Sequence, residues 1–246
     1  MTVHQGWQTY IRTKDSDPSI LKVPESKFNS SIFLGTLGMP GRTAYFGLNY
    51  VGKPQPGETL VVSAASGAVG GVVGQLGKQM GCKVIGIAGG PEKSKFVSEE
   101  LKFDQCIDYK NENVVEKLSE FCPDGIDVYF ENVGGEITKM ISKFLNKGAR
   151  VPICGFISKY NSTNIAGEET PFHVLSTLNP KPRHRFFVVT EWLNKFEETT
   201  YILHDHMNRG EIKTRESITQ GFENAPQALR DVLSGRNFGK QLIKIK

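Results

Sequence analysis

Short apolar segments alternate with longer segments that carry apolar residues at helical spacing through the middle of the chain. The short segments are apolar at consecutive positions, which is typical of strands buried on both faces of a parallel sheet. Their alternation with helices predicts an α/β fold, a doubly wound Rossmann sheet of six parallel strands. The predicted strands cover residues 59–64, 83–88, 105–109, 126–132, 149–155 and 185–189. The predicted helices cover residues 67–80, 91–101, 113–121, 136–146, 193–208 and 225–233, and another begins at Pro40.

The two ends of the chain differ from this pattern. Residues 6–13, GWQTYIRT, alternate like a strand, and residues 241–245, QLIKI, are predicted to form a closing strand. We therefore expect the two ends to belong together, outside the six-stranded sheet.

Composition and charge narrow the class of protein. The 246 residues include 38% hydrophobic residues and carry a formal net charge of +4, as in an ordinary globular protein. No segment is apolar enough to span a bilayer and the N-terminal residues lack an apolar signal core, so we expect a cytoplasmic protein with no membrane partner. The modest charge permits an anionic ligand and does not favour nucleic acid. The basic cluster at residues 179–187 could touch nucleic acid, but it is interpreted as a solvated loop beside the cofactor cleft.

No metal site is predicted. The four cysteines, Cys82, Cys106, Cys122 and Cys154, include no Cys-x-x-Cys pair and are interpreted as reduced thiols. On a helix, two histidines spaced like His204 and His206 face different ways, which indicates a surface helix.

A near-match to a dinucleotide-binding fingerprint follows the first predicted strand. The usual form is G-x-G-x-x-G, and here Ala65 takes the first glycine position, ahead of Gly67 and Gly70. Small residues at these points allow a tight turn and a close approach of the backbone to a pyrophosphate, at the positive end of a helix. A glycine-rich turn that binds nothing is the alternative, but the strand before it and the helix after it favour binding.

The end of the second predicted strand indicates which nicotinamide cofactor would bind. An NAD site usually has an acidic residue there for the ribose 2′-hydroxyl, but residues 88–90 are Ala-Gly-Gly. Lys93 lies in the first turn of the next helix, where a cation is unfavourable unless an anion is near. A 2′-phosphate would compensate the charge of Lys93 and bind at the helix N-terminus, so the sequence favours NADPH. A solvated lysine is the alternative.

Five segments together resemble one family. They are AASGAVGGVVGQLGK, GCKVIGIAGGPEK, DVYFENVGGE, CGFISKYN and LGMPGRTAYFGL, and they resemble the zinc-independent medium-chain dehydrogenases/reductases, in particular the prostaglandin reductase / leukotriene B4 12-hydroxydehydrogenase group with its curcumin and alkenal reductases. The resemblance covers nearly the whole chain. It implies an NADPH-dependent enzyme that reduces the carbon–carbon double bond of α,β-unsaturated ketones and aldehydes.

The resemblance also implies cofactor-binding residues. Gly67, Ala68, Val69 and Gly70 would meet the pyrophosphate, Lys93 the 2′-phosphate, and Tyr109 the adenosine end. Asn132 and Asn237 would also contact the cofactor. The residues that would line its nicotinamide half are Cys154, Gly155, Phe156, Ile157, Ser158, Tyr160, Phe187, Val188 and Val189. Structural alternatives stay open for three of them, because Tyr109 could cover the sheet, Asn132 could sit in a plain turn and Cys154 could be a small buried residue.

Tyr160 is the candidate catalytic residue. Reduction of an enone leaves negative charge on the carbonyl oxygen, which requires a hydrogen-bond donor, and a phenol can donate without being charged. A surface tyrosine is the alternative, and a ribose hydroxyl of the cofactor could supply the same bond.

Members of this family carry a GroES-like β domain before the segment at residues 6–13. We therefore expect residues 1–30 to be the tail of that domain, residues 31–211 the NADP-binding domain, and residues 212–246 the return to the first domain. The expected partners are a small enone, alkenal or quinone and a second copy of the chain in a homodimer. The first domain supplies much of the substrate pocket in this family, and we expect this shortened chain to carry only its tail and its return. We therefore expect NADPH binding to be better retained than turnover. A quinone reductase and a non-catalytic NADPH-binding protein stay open as alternatives. Trp7, Ile11 and Phe33 are expected to be exposed apolar residues.

Overall fold

A twisted sheet of six parallel strands forms the centre of the molecule. The structure, a computed structural model, describes residues 7–12, 14, 23–164 and 167–245. The sheet order is β3-β2-β1-β4-β5-β6, the doubly wound order that the sequence predicts. Its strands are β1 (Thr59–Ser63), β2 (Lys83–Ala88), β3 (Gln105–Asp108), β4 (Ile126–Phe130), β5 (Leu145–Ile153) and β6 (Arg183–Phe186).

Helices cover both faces of this sheet. Wider, π-type turns extend the first helix through Gly52 and the third through Glu100. The eight helices of the described chain are α1 (Met39–Phe46), α2 (Gly70–Gln79), α3 (Pro91–Lys95), α4 (Val114–Phe121), α5 (Gly135–Ser142), α6 (Pro171–Ser176), α7 (Phe196–Asn208) and α8 (Ala225–Leu233).

Two apolar cores, one on each face, hold the layers together. Leu60 and Val62 of β1 point into the core that contains α1 and α2, and Val61 between them points into the opposite core under α4 and α5. Successive side chains of a strand point to opposite faces, so all five residues of β1 are buried. This explains why the strand is apolar at consecutive positions.

Several predicted boundaries are wrong by a few residues. Helix α2 begins at Gly70 and not at residue 67, because the preceding three residues form the turn itself. Helix α5 ends at Ser142, and β5 begins at Leu145, four residues before the predicted start. Strand β6 covers Arg183–Phe186 and ends before Phe187.

The prediction of a strand at residues 6–13 is also wrong for the part that the structure describes. Residues 7–12 form no strand there, and a strand's N–H and C=O groups need a neighbouring strand to pair with. Of the apolar residues expected on the surface, Trp7 and Ile11 are exposed, whereas Phe33 is half-buried against the core.

A separate two-stranded sheet closes the chain. Strand β7 (Glu216–Gln220), which the sequence pattern did not indicate, pairs in parallel with β8 (Lys240–Lys244). Just before β8, the Gly239 N–H donates to the Ser66 carbonyl at 3.1 Å. This bond brings the last segment against the turn that follows β1.

Candidate functional site

The turn between β1 and α2 leaves no room for side chains on its inner side. Ala64 adopts a left-handed conformation with φ 51°, and the Gly67 N–H donates to its carbonyl at 2.9 Å. A Cβ on Gly70 would collide with the same carbonyl oxygen. The backbone itself therefore requires glycine at Gly70, while a Cβ on Gly67 would lie 3.0 Å from the same oxygen and fit tightly.

Ala65 fits at the first position of the motif because of a glycine on the neighbouring strand. Its methyl group is fully buried, and a Cβ placed on Gly86 of β2 would lie 2.8 Å from the Cβ of Ala65. Carbon atoms in contact sit at about 3.5–4.0 Å, so the two positions cannot both carry a side chain without movement. The absence of a side chain on Gly86 thus leaves the room that the methyl group of Ala65 needs.

Three consecutive backbone N–H groups at this turn are free to bind an anion. Those of Ala68, Val69 and Gly70 find no acceptor within the described part of the chain, while Gly71 and Val72 already bond back into the turn. Gly67, Ala68 and Val69 are partly exposed, and α2 begins directly behind them. A helix N-terminus with unpaired N–H groups attracts phosphate, and this one lies beside the boundary between β1 and β4, where the strand order reverses.

The carboxyl end of β2 forms a flat surface on which Tyr109 lies. A Cβ on Gly89 would come within 2.7–2.9 Å of the Tyr109 ring, so only glycine lets the ring approach the β2 backbone. Tyr109 remains 43% exposed. Next to it, buried Asp108 accepts hydrogen bonds from the Gly90 N–H at 2.7 Å and the Asn111 side chain at 2.7 Å. That carboxylate is already used to fix the turn and is not free for a ribose.

Lys93 and Lys110 follow the carboxyl ends of β2 and β3, which are neighbouring strands of the sheet. Burial, and then the charge of Lys110, lower the pKa of Lys93. The Lys93 ammonium donates one hydrogen bond to the Gly235 carbonyl at 2.7 Å, and an ammonium has three donors. The repulsion from Lys110 and the remaining donors of Lys93 favour an anion near Lys93. Lys110 has no signal in the sequence as a ligand, because it follows the strand end like any solvated lysine.

The last segment of the chain closes over the same turn. Asn237 donates from its side chain to the Gly239 carbonyl at 3.0 Å, and Gly239 bonds to Ser66. Asn237 therefore lies near the β1–α2 turn, and its contact with a cofactor stays a prediction.

Glu131, a residue that the sequence reasoning did not single out, organises the opposite side of the β1–β4 boundary. It is fully buried, and burial raises the pKa of its carboxyl group. Its carboxylate accepts the N–H groups of Val133 at 2.8 Å and Gly134 at 3.0 Å, as well as the hydroxyl of Thr138. These bonds shape the turn that leads from β4 into α5.

Asn132 is held against the end of β1 and is not a loose turn residue. Its backbone N–H donates to the Ser63 hydroxyl at 2.9 Å, and its side chain donates to the Ser63 carbonyl at 2.7 Å. The asparagine therefore bridges the two strands between which the sheet order reverses.

The segment at residues 154–160 folds onto the same turn. The Ile157 N–H donates to the Asn132 carbonyl at 3.2 Å, and the Ser158 N–H donates to the Val133 carbonyl at 3.0 Å. The Tyr160 hydroxyl lies over Gly155, since a Cβ on that glycine would be 2.6 Å from the hydroxyl oxygen. Phe156 contacts the Tyr160 ring edge-on, with ring centroids 5.8 Å apart.

Tyr160 is 51% exposed, so its ring is open to solvent beside the carboxyl end of β5. Cys154 has a different character. Burial, and then the charge of Glu131, raise the pKa of the Cys154 thiol to about 12, which makes it a poor nucleophile.

Residues 187–189, the last segment predicted to contact a cofactor, lie partly in the core and partly on the surface. Phe187 is 2% exposed and contacts Phe130 edge-on, so its ring belongs to the core and only its backbone can line a cleft. Val189 is also buried, whereas Val188 is 47% exposed. Of the three residues predicted to contact a cofactor, Val188 alone presents its side chain.

Among the described residues, neither a cluster of metal ligands nor a helix long and apolar enough to cross a membrane is present. Within ranges 7–12, 14, 23–164 and 167–245, no three His, Cys, Asp or Glu side chains converge as metal ligands. No helix in those ranges has the length and apolarity that a membrane crossing needs.

Comparisons with known proteins identify the family of the chain. Residues 68–183 match the family model described as zinc-binding dehydrogenase. The chain is 41% identical to the NADPH-dependent curcumin reductase of Escherichia coli over 245 residues, 98% of this chain and 70% of that protein. It is 36% identical to the NADP(+)-dependent 2-alkenal reductase of Nicotiana tabacum over 98% of this chain and 69% of that protein.

A solved structure is similar as well. CurA from Vibrio vulnificus in complex with NADPH shares 42% sequence identity, with a TM-score of 0.84 over 92% of this chain and 68% of that one. The fold and site define the cofactor-binding unit of a medium-chain dehydrogenase/reductase. The chain belongs to the zinc-independent medium-chain family, in the group of the curcumin, alkenal and prostaglandin reductases.

Proposed function

We propose that the protein is an NADPH-dependent reductase of carbon–carbon double bonds conjugated to a carbonyl group, as in enones and alkenals. The observation that carries this proposal is the pairing of a phosphate cradle at the β1–α2 turn with two lysines at the end of β2 and β3. The relatives reported above, whose names state NADP dependence and reduction of curcumin or alkenals, support the same activity.

The residues present fit NADPH. The free N–H groups of residues 68–70 would hold the pyrophosphate, and the absence of a Cβ at Gly70 allows the turn that presents them. Lys93, with Lys110 beside it, would hold the 2′-phosphate, and the ring of Tyr109 would cover the adenosine. The remaining implied contacts lie along the turn after β4 and the loop after β5.

NADPH, when bound, supplies a hydride to the substrate double bond. The protein's task is then to stabilise the negative charge that develops on the carbonyl oxygen. The Tyr160 hydroxyl, held over Gly155 and open to solvent, would donate a hydrogen bond to that oxygen. The buried thiol of Cys154 takes no part, because its pKa is raised to about 12.

An absorbance assay at the nicotinamide band tests the proposal. We expect NADPH consumption with an enone and a 2-alkenal, with the saturated carbonyl compound as product. Tyr160→Phe should reduce turnover by about 10- to 100-fold and change NADPH affinity much less, because the ring that would contact the cofactor is kept. Tyr201→Phe, which alters an exposed tyrosine on α7, is the matched control. Reduction of a quinone with no reduction of either carbonyl substrate would contradict the double-bond assignment. NADPH binding without any turnover would leave a binding protein.

We propose a homodimer that forms along the outer edge of β6. This strand lies at the edge of the six-stranded sheet, and Phe186, Val188 and Leu193 near it are 44%, 47% and 61% exposed. An open apolar edge pairs readily with a second copy. Light scattering on the purified chain should give twice the monomer mass, and a monomer at micromolar concentration would contradict the proposal.

We also propose that residues 1–30 and 212–246 belong to a second, GroES-like domain, and residues 31–211 to the cofactor domain. The separate pairing of β7 with β8, outside the large sheet, supports this division. The free thiols of all four cysteines support a cytoplasmic location, where thiols stay reduced.

A further inference from the structure

The basic cluster at residues 179–187 borders a cavity that the proposed reductase function does not use. The cavity has a volume of about 500 Å³ and lies at the amino-terminal half of β5 and β6, away from the strand ends that hold the cofactor residues. The lining residues that carry charge or apolar surface are Tyr50, Val51, Lys53, Arg150, Arg183 and Arg185. A volume of this size is typical of small-molecule sites.

Arginines lie side by side on the sheet at this cavity. Arg150 of β5 is in register with Arg183 of β6, so two like charges occupy neighbouring positions on adjacent strands. Such pairs are destabilising unless an anion compensates them. The imidazole of His184 is not part of the cluster, because it bonds to Ser176 and Pro182 and contacts Phe172 on the other face.

Acidic groups neutralise only some of these cations. Glu58 forms a two-pronged pair with Arg150, whose guanidinium also donates to the Gly52 carbonyl at 3.0 Å. Glu191 pairs with Arg185. In the described part of the chain, no hydrogen bond or ion pair engages the side chains of Lys53 and Arg183. The cavity therefore keeps two unpaired positive charges beside an apolar wall made by Tyr50 and Val51.

We propose that this cavity binds a small organic phosphate, with the phosphate between Lys53 and Arg183 and the organic part against Tyr50 and Val51. A dianionic phosphate matches two uncompensated cations, and charge-assisted bonds of this kind are strong. Nucleic acid is a poorer match, because its binding depends on many phosphate contacts and this cavity offers two free cations.

Titration with phenyl phosphate, followed by backbone NMR shifts and by calorimetry, tests the proposal. We expect saturable binding with shifts at Gly148, Arg150 and Arg183, and no binding of phenol. Arg183→Gln and Lys53→Gln should each raise the dissociation constant by about tenfold, since each removes one charged hydrogen bond. Lys181→Gln, a nearby exposed cation outside the cavity, is the matched control and should have no effect.

Two controls separate this cavity from the cofactor cleft and from a contact between copies of the chain. The variant Lys93→Gln should bind phenyl phosphate like the unaltered chain, because Lys93 belongs to the cofactor cleft. Binding that disappears in Lys93→Gln but persists in Arg183→Gln would overturn the proposal, as would no saturable binding at all. Light scattering on Arg183→Gln should give an unchanged mass. A changed mass would overturn the proposal in favour of an interface between copies.

Discussion

Replacing Gly86 with alanine should destabilise the protein, because the new methyl group would overlap three buried side chains. The new Cβ would lie 2.8 Å from the Cβ of Ala65, 2.8 Å from Val97 Cγ1 and 3.1 Å from a ring carbon of Phe103. Overpacking of this kind costs about 1–3 kcal/mol of unfolding free energy. Urea unfolding followed by circular dichroism measures the loss.

A double-mutant cycle then tests whether Gly86 is what makes room for Ala65. Ala65→Gly alone should cost about 1–2 kcal/mol, from a lost buried methyl group and added backbone freedom. In the double variant the contact between the two methyl groups is absent, so it should be more stable than the sum of the single changes by about 0.5–1.5 kcal/mol. The contacts with Val97 and Phe103 remain, so we expect partial rescue only.

Ala149→Gly provides the control for that cycle. Ala149 is a buried alanine in β5, three strands away from β2, so its effect should add to that of Gly86→Ala. If Ala65→Gly and Gly86→Ala were also additive within about 0.3 kcal/mol, the account of how the altered motif is accommodated would be refuted.

Three other predictions concern charge and reactivity. Lys93→Gln should weaken NADPH binding by roughly 10- to 100-fold in a fluorescence titration and leave NADH binding unchanged. Lys95→Gln on the same helix is the control and should alter the binding of neither cofactor. Equal losses of affinity for both cofactors in Lys93→Gln would contradict the 2′-phosphate assignment. Burial raises the pKa of Glu131 above its ordinary 4.5, so the folded state binds that proton more tightly, and stability should fall as pH rises from about 4.5 through the raised pKa. Glu131→Gln should remove this pH-dependent part of the unfolding free energy, measured by urea unfolding at different pH values. If the unaltered protein instead became more stable relative to the variant as the pH rose, the predicted direction would be wrong. The Cys154 thiol, with its pKa raised from 9.0 to about 12, should react with a disulfide reagent at pH 8 roughly a thousandfold more slowly than free cysteine, and rapid labelling identified by mass spectrometry would contradict its burial.

The sheet can be predicted because each buried strand is visible in the sequence as a short apolar run. Strand β1 is buried at every residue and bounded by turn residues, so a short apolar run sufficed to find it. The pattern failed where neighbours decide the structure. Strand β7 is half-exposed and exists only because β8 pairs with it, and residues 7–12 have the alternation of a strand without a described partner.

In the candidate site, too, local features can be predicted from the sequence, whereas contacts between distant residues cannot. Glycines at the β1–α2 turn and the absence of an acid after β2 are local features, and the structure places them together as expected. Glu131 and Lys110 act through contacts with residues that are distant in the chain or on another strand, and neither has a distinctive local pattern. Phe187 was predicted from the resemblance, which does not distinguish a backbone contact from a side chain buried in the core.

The central claim is that the turn after β1 and the lysines after β2 and β3 form an NADPH site. Fluorescence titration of the unaltered chain with NADPH and, separately, with NADH tests it most directly. The account predicts saturable NADPH binding at least about tenfold tighter than NADH binding, because only NADPH carries the 2′-phosphate that Lys93 and Lys110 would hold. Equal affinities, or no binding of NADPH at high micromolar concentration, would contradict it.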